Sequence, residues 1–160
     1  MDSSDSKNPL VIPALGGIYD GLRPCVPTAM RIGMGLFYMP HGAQKLFGLF
    51  GGATMEQYVA GFGKALGPSF ASPGWIYYIG GLEFFGGLCL VLGLFTRPVA
   101  ALFVGFMATA AIVAQYPNGW FWTRPGGGME APAIWGFICL LILIQGGGKL
   151  SLDRVIGKEL

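Results

Sequence analysis

The sequence predicts an all-α membrane protein: a four-transmembrane-helix antiparallel bundle with short interfacial helices. Three observations carry that expectation. Of the 160 residues, 53% are apolar and only 11% charged, whereas soluble domains carry about a quarter charged residues. The apolar residues come in four long blocks, and at roughly 20 residues per crossing four spans use about half the chain. Glycine- and proline-rich punctuation separates the blocks, as at Gly51-Gly52, Gly67-Pro68, Pro73-Gly74 and Gly146-Gly147-Gly148. No room remains for a separate catalytic domain. A net charge of +2 with scattered basic residues gives no patch for a nucleic acid, and none is expected as a partner.

Three segments follow from this pattern. Residues 1–25 are expected to be a cytoplasmic N-terminal segment, partly disordered or interfacial. Asp2, Asp5 and Lys7 precede any apolar core, so the chain carries no recognisable cleaved secretory signal, and the first apolar span is expected to be an uncleaved anchor. Leu15, Ile18, Tyr19 and Leu22 recur at helical spacing, weakened by Gly16, Gly17 and Gly21. Residues 26–150 hold the four spans, and residues 151–160 form a polar cytoplasmic tail.

Span one is expected from about Thr28 to Phe50 and carries Arg31, His41 and Lys45. Residues 54–66 read as a surface helix, with Thr54 as N-cap and Gln57 as its capping-box partner. Met55, Tyr58, Val59, Phe62 and Leu66 share one face, suited to lying on a membrane. Span two covers Trp75 to Phe95, and the turn Thr96-Arg97-Pro98 leads into span three, Val99 to Tyr116. Loop 117–131 brings Trp120, Phe121 and Trp122, residues that favour the headgroup belt. Span four runs from Pro132 to Gln145. On one side of such a bundle stand Lys7, Arg23, Arg31, Arg97, Lys149, Arg154 and Lys158; on the other stand Lys45, Lys64 and Arg124. The positive-inside rule then places both termini in the cytoplasm.

Cys25, Cys89 and Cys139 lie too far apart for a zinc or disulfide pattern and read as free thiols. A lone histidine, His41, excludes a haem with two histidine ligands inside one copy. No metal site is expected. Gly126–Gly128 is no phosphate loop, because no Lys-Ser/Thr follows it.

The polar residues inside the spans are the informative ones, since a charge at a span centre costs about 2.5–3.5 kcal/mol on insertion scales. Arg31, Gly35, Tyr38, His41, Gly42 and Lys45 form one helical stripe, and Gly80, Glu83 and Gly87 form another. Small residues at such spacing allow two helices to approach closely. Spans one and two are therefore expected to pack along a glycine-lined seam, with Glu83 turned toward His41. His41 and Glu83 are the candidate catalytic pair, able to carry protons or hold a polar head group. Arg31, Gln44, Lys45, Gln115 and Glu130 are the candidate cofactor-binding set. The structural alternatives are a snorkelling Arg31, a Glu83 that only fastens helices, and a Glu130 that only favours a helix start.

The chain resembles the DoxX family of small four-span membrane proteins. The resemblance rests on Arg31-Ile32-Gly33 through Phe37, His41-Gly42-Ala43-Gln44-Lys45-Leu46-Phe47-Gly48 and Gly51-Gly52. It continues through Gly80-Gly81-Leu82-Glu83, Gly86-Gly87, Gly93-Leu94-Phe95-Thr96-Arg97, Gly119 and Glu130 to Gly146-Gly147-Gly148-Lys149-Leu150-Ser151-Leu152-Asp153. In order, these cover about Ala29 to Val155. The resemblance implies a prokaryotic inner-membrane protein associated with redox systems, thiosulfate:quinone oxidoreductase among them. No flavin or dinucleotide motif is present, and no covalently bound cofactor is expected. Redox chemistry would need a quinone or a partner's cofactor, making the chain a quinone-linked oxidoreductase subunit whose electrons come from the partner.

Two readings follow. In the first, the chain is a membrane subunit of a redox or respiratory-type complex with a quinone-sized polar pocket between helices. In the second, it is a non-catalytic anchor or assembly subunit. A small-solute transporter is disfavoured, because one four-span copy offers little for alternating access. Membrane lipids and either other subunits or further copies of the chain are the expected partners.

Overall fold

The computed structural model describes residues 10–157. The expectations for residues 1–9 and 158–160, including the lack of a cleaved signal and the charges Lys7 and Lys158, lie outside the described residues. Among the described residues there are helices and turns and no strand.

A short helix, α1 (Gly16–Leu22), leads through a 3-10 turn at Arg23–Cys25 into α2 (Val26–Phe47). Pro27 starts α2 where a missing N–H costs nothing, and Gly48 ends it in the left-handed conformation at φ 66°. The end falls three residues before the expected Phe50. α3 (Met55–Leu66) carries the expected capping box: the Gln57 N–H donates to Thr54 Oγ1 at 3.4 Å, and the Thr54 N–H donates to Gln57 Oε1 at 2.9 Å. Met55, Tyr58, Val59, Phe62 and Leu66 share its half-buried face, but Tyr58, Phe62 and Leu66 turn toward a cavity in the protein and not outward to a membrane surface as expected.

α4 (Pro73–Leu92) and α5 (Thr96–Asn118) are long and apolar enough to cross a membrane. Only 39% and 22% of their most apolar stretches are buried, which sets them apart from core helices of water-soluble proteins. α2 has the length but is diluted by its charges, and α6 (Glu130–Gln145) is a shorter apolar helix of 16 residues. Leu36, Phe37, Phe85, Ile112, Ile134, Phe137 and Ile144 are all exposed on the outer faces of these helices. Such a continuous apolar exterior fits lipid and not water.

One expected turn moves. The chain reverses at Gly93–Phe95, and Thr96, Arg97 and Pro98 already form the first turn of α5. The cause lies far away in sequence: the Asp153 carboxylate accepts from the Phe95 N–H at 2.7 Å and the Thr96 N–H at 2.9 Å, capping the helix start from outside. Asp153 belongs to α7 (Leu152–Ile156), whose own N-cap is Ser151.

The core lies where α2, α4, α5 and α6 meet, around Met34, Tyr38, Leu90, Phe103, Met107, Cys139 and Ile142. The Tyr38 ring stacks on Phe103 at 3.8 Å between centroids, and its hydroxyl lies 3.4 Å from the Cys139 sulfur. Closest packing joins α2 to α4 and α5 to α6. The α2–α4 contact is the expected glycine seam. A Cβ added at Gly42 would stand 2.7 Å from the Gly80 carbonyl oxygen, and one at Gly87 would stand 2.9 Å from that of Gly35. Gly42→Ala must push two backbones apart. The expected loss is about 1–3 kcal/mol, the usual range for overpacking, read as a lower melting temperature in detergent; unchanged melting would refute this seam.

Candidate functional site

α4 and α5 touch mainly near their shared turn and lie apart beyond it. Between them is a cavity of about 730 Å³, covered by α3. Its walls are Leu82, Ala101, Leu102, Gly105 and Phe106 on one part and Gln57, Tyr58, Phe62, Trp75 and Gln115 on another. The size falls within the range of about 300–1,000 Å³ typical of small-molecule sites.

Lys45 and Glu83 are set into this wall. Lys45 Nζ stands 2.6 Å from Glu83 Oε2, with the two side chains only 11% and 7% exposed. The same ammonium donates to the His41 carbonyl at 3.3 Å and lies 5.9 Å from the centre of the Tyr58 ring. An ammonium has three donors and a carboxylate about four lone-pair sites. The pair therefore keeps hydrogen-bonding capacity for a bound molecule.

The register of the seam explains this pairing. Gly80 lies against the Lys45 Cβ, 3.0 Å from a Cβ placed on the glycine. Glu83 is one turn further along the same face, within reach of the long lysine chain. Two π-helical turns, Leu82–Gly86 in α4 and Ala110–Gln115 in α5, border the cavity. Such insertions occur often at functional sites. Each adds a residue to a helical turn and re-aims the side chains after it.

Of the expected site residues, Lys45, Glu83 and Gln115 line the cavity, whereas Arg31, His41, Gln44 and Glu130 do not. The expected His41–Glu83 pairing is corrected: Glu83 bonds to Lys45, and the exposed His41 ring packs edge-on against Trp135 of α6, 5.5 Å between centroids. Depth along each span suggested His41; the glycine contacts set a different register. Arg31 neither snorkels nor joins the site. It is fully buried and donates only to backbone carbonyls: Leu90, Val91 at 2.7 Å, Gly147 at 3.2 Å and Leu150 at 2.5 Å. The first two are carbonyls at the end of α4, where a cation also suits the helix dipole, and the Leu90 oxygen additionally accepts from the Gly93 N–H at 3.2 Å.

The remaining candidates organise loops. Gln44 Nε2 donates to the Phe50 carbonyl at 3.4 Å, and Glu130 Oε2 accepts from the Trp122 N–H at 3.3 Å. The Gln115 amide, with its nitrogen turned to the loop, donates to the carbonyls of Gly126 at 2.8 Å and Gly127 at 3.3 Å. Gln57 and Tyr58 are wall residues that sequence reasoning missed as such. The pattern marks Gln57 as a cap and Tyr58 as part of the apolar face, and neither role by itself signals a cavity wall.

Among the described residues, no cluster of His, Cys, Asp and Glu could hold a metal ion. No solved structure matches the chain. A curated relative, the inner membrane protein YphA of Escherichia coli (strain K12), is 29% identical over 143 residues, covering 85% of this chain and 94% of the relative. The DoxX family model matches residues 26–116, the part that holds α2, the α3 cover, α4 and nearly all of α5. That match spans more than half of the sequence and both walls of the cavity, and the chain belongs to the DoxX family.

Proposed function

We propose that the protein is an inner-membrane subunit of a redox or respiratory-type complex, in which the cavity between α4 and α5 receives the polar head of a quinone. The carrying observation is the buried Lys45–Glu83 pair in the wall of a largely apolar cavity. A quinone carbonyl needs a donor and a quinol hydroxyl needs an acceptor, and this pair supplies both. Electrons would come from a partner's cofactor, and proton exchange would involve Glu83. α2, α4, α5 and α6 would each cross the bilayer, with both termini cytoplasmic, as supported by their apolar exteriors and the bias of basic residues.

The anchor reading also has a specific observation in its favour, because the same ion pair joins α2 to α4 and so fastens the bundle. Gentle purification from native membranes separates the two. The expected result is quinone retained with the protein together with partner subunits. Partner subunits without quinone would sink the pocket and leave an anchor.

A further inference from the structure

We infer that α7 and the loop before it form a membrane-surface site for an anionic phospholipid, whose phosphate sits between Lys149 and Arg154. The site shares no lining residue with the cavity between α4 and α5 and does not depend on the quinone reading.

The segment is held at the membrane boundary. α6 ends at Gln145 after 16 residues, about 24 Å at 1.5 Å per residue, which is less than the hydrocarbon thickness of about 30 Å. The chain beyond it therefore starts at the edge of the lipid. Asp153 then pins α7 to the Phe95 and Thr96 N–H groups, at the level where α5 begins. While that cap is made, α7 cannot drift away into water.

The sides of α7 differ. Leu152, Val155 and Ile156 recur at i, i+3 and i+4 on one face, and all three are exposed, as is Leu150 before them. The buried Asp153 marks the face turned to the bundle, and Arg154 leaves the helix on the side away from the apolar residues. On that side lies a cleft of about 440 Å³, lined by Gln145, Gly148, Lys149, Ser151, Asp153 and Arg154. An apolar face opposite a basic one is the pattern of a helix lying in the interface, held by acyl chains and anionic head groups together.

Charge selects the head group. Among the described residues, no hydrogen bond or ion pair occupies the Lys149 ammonium or the Arg154 guanidinium. Arg23, at the same end of the bundle, is by contrast paired with Asp20 at 3.8 Å. Asp153 is the carboxylate in the described wall, and each of its oxygens already accepts from an α5 N–H. Arg31 stands behind the wall, donating to the Gly147 and Leu150 carbonyls. Three cations thus surround one committed carboxylate, and the excess favours a phosphate diester. A free phosphate would meet the same cations but would leave Leu150, Val155 and Ile156 uncovered, whereas acyl chains cover them. Occupancy also strengthens the fold, because this segment caps α5 and carries two acceptors of Arg31.

The full-length protein in neutral maltoside micelles tests this, with melting followed by tryptophan fluorescence. Phosphatidylglycerol, phosphatidylcholine or inorganic phosphate is added at constant ionic strength. Phosphatidylglycerol should raise the melting temperature saturably, and the other two should not. Each basic residue near an anionic surface is worth about fivefold in binding, so Lys149→Gln/Arg154→Gln should need about 25-fold more phosphatidylglycerol for half the rise. Its melting without added lipid should match the wild type. Lys64→Gln/Arg124→Gln, the same change of charge on exposed residues outside the cleft, should keep the full response. An absent rise, an equal rise with phosphatidylcholine, or the same response in all three proteins overturns the site. So does a response lost equally in both double variants, which would mark a general charge effect. An equal rise with inorganic phosphate overturns the lipid and leaves a simple anion site. Lower melting of Lys149→Gln/Arg154→Gln before any lipid is added would show that these cations serve the fold itself, and overturns the site as well.

Discussion

Arg31→Leu will prevent the bundle from closing. The guanidinium is wholly buried and serves the carbonyls of Leu90, Val91, Gly147 and Leu150. Leucine leaves the Val91 and Leu150 oxygens without that donor, and each unsatisfied group costs about 1–3 kcal/mol. Even two such losses would consume much of a typical stability of about 5–15 kcal/mol. Arg31→Lys keeps the charge but offers a point ammonium in place of a planar fork, too compact to bridge carbonyls on two segments. The expected order of melting temperature and membrane yield is wild type, then lysine, then leucine, with the leucine variant largely degraded. Gly93 belongs to the same unit, because a Cβ there would stand 2.7 Å from Arg31 Cζ. Normal melting of Arg31→Leu would show that these carbonyls have other partners.

The second large effect is at the ion pair. Lys45→Met leaves a carboxylate at 7% exposure, and Glu83→Leu leaves an ammonium at 11%. Breaking a buried pair from one side costs roughly 3–5 kcal/mol, whereas replacing both partners by apolar residues is often neutral. The double variant Lys45→Met/Glu83→Leu should therefore melt within about 1 kcal/mol of the wild type and well above either single variant. It should nonetheless retain no quinone. A double variant that is both stable and quinone-loaded would reduce the pair to a fastener. His41→Gln should add to Glu83→Leu with coupling below about 0.5 kcal/mol, because the two side chains do not meet.

The sequence disclosed the helices and their closest contact, and it disclosed the site only in part. Gly35, Gly42, Gly80 and Gly87 announce a seam because removing side chains has one steric meaning, a close backbone approach. Thr54 and Gln57 announce a helix start because the capping box is local. The partner of Glu83 was not legible, since it depends on axial register and on the reach of a lysine chain. The cavity was not legible either. It arises where α4 and α5 separate and where π-helical turns re-aim Glu83 and Gln115, and those turns have no sequence signature. Arg31 reads as a ligand residue in the sequence because its acceptors are backbone carbonyls, which any sequence would provide.

The contacts of Asp153 and Arg31 also set an order of biosynthesis. The cap on the start of α5 and half of the acceptors of Arg31 come from residues 147–153. A ribosome releases these residues after every long helix has left the exit tunnel. Until then Arg31 on α2 has its acceptor set incomplete, and the Phe95 and Thr96 N–H groups lack their cap. Residues 147–153 therefore complete two contacts begun much earlier in the chain, the start of α5 and the acceptor set of Arg31. A chain cut before Ser151 would lack the Asp153 cap on the start of α5.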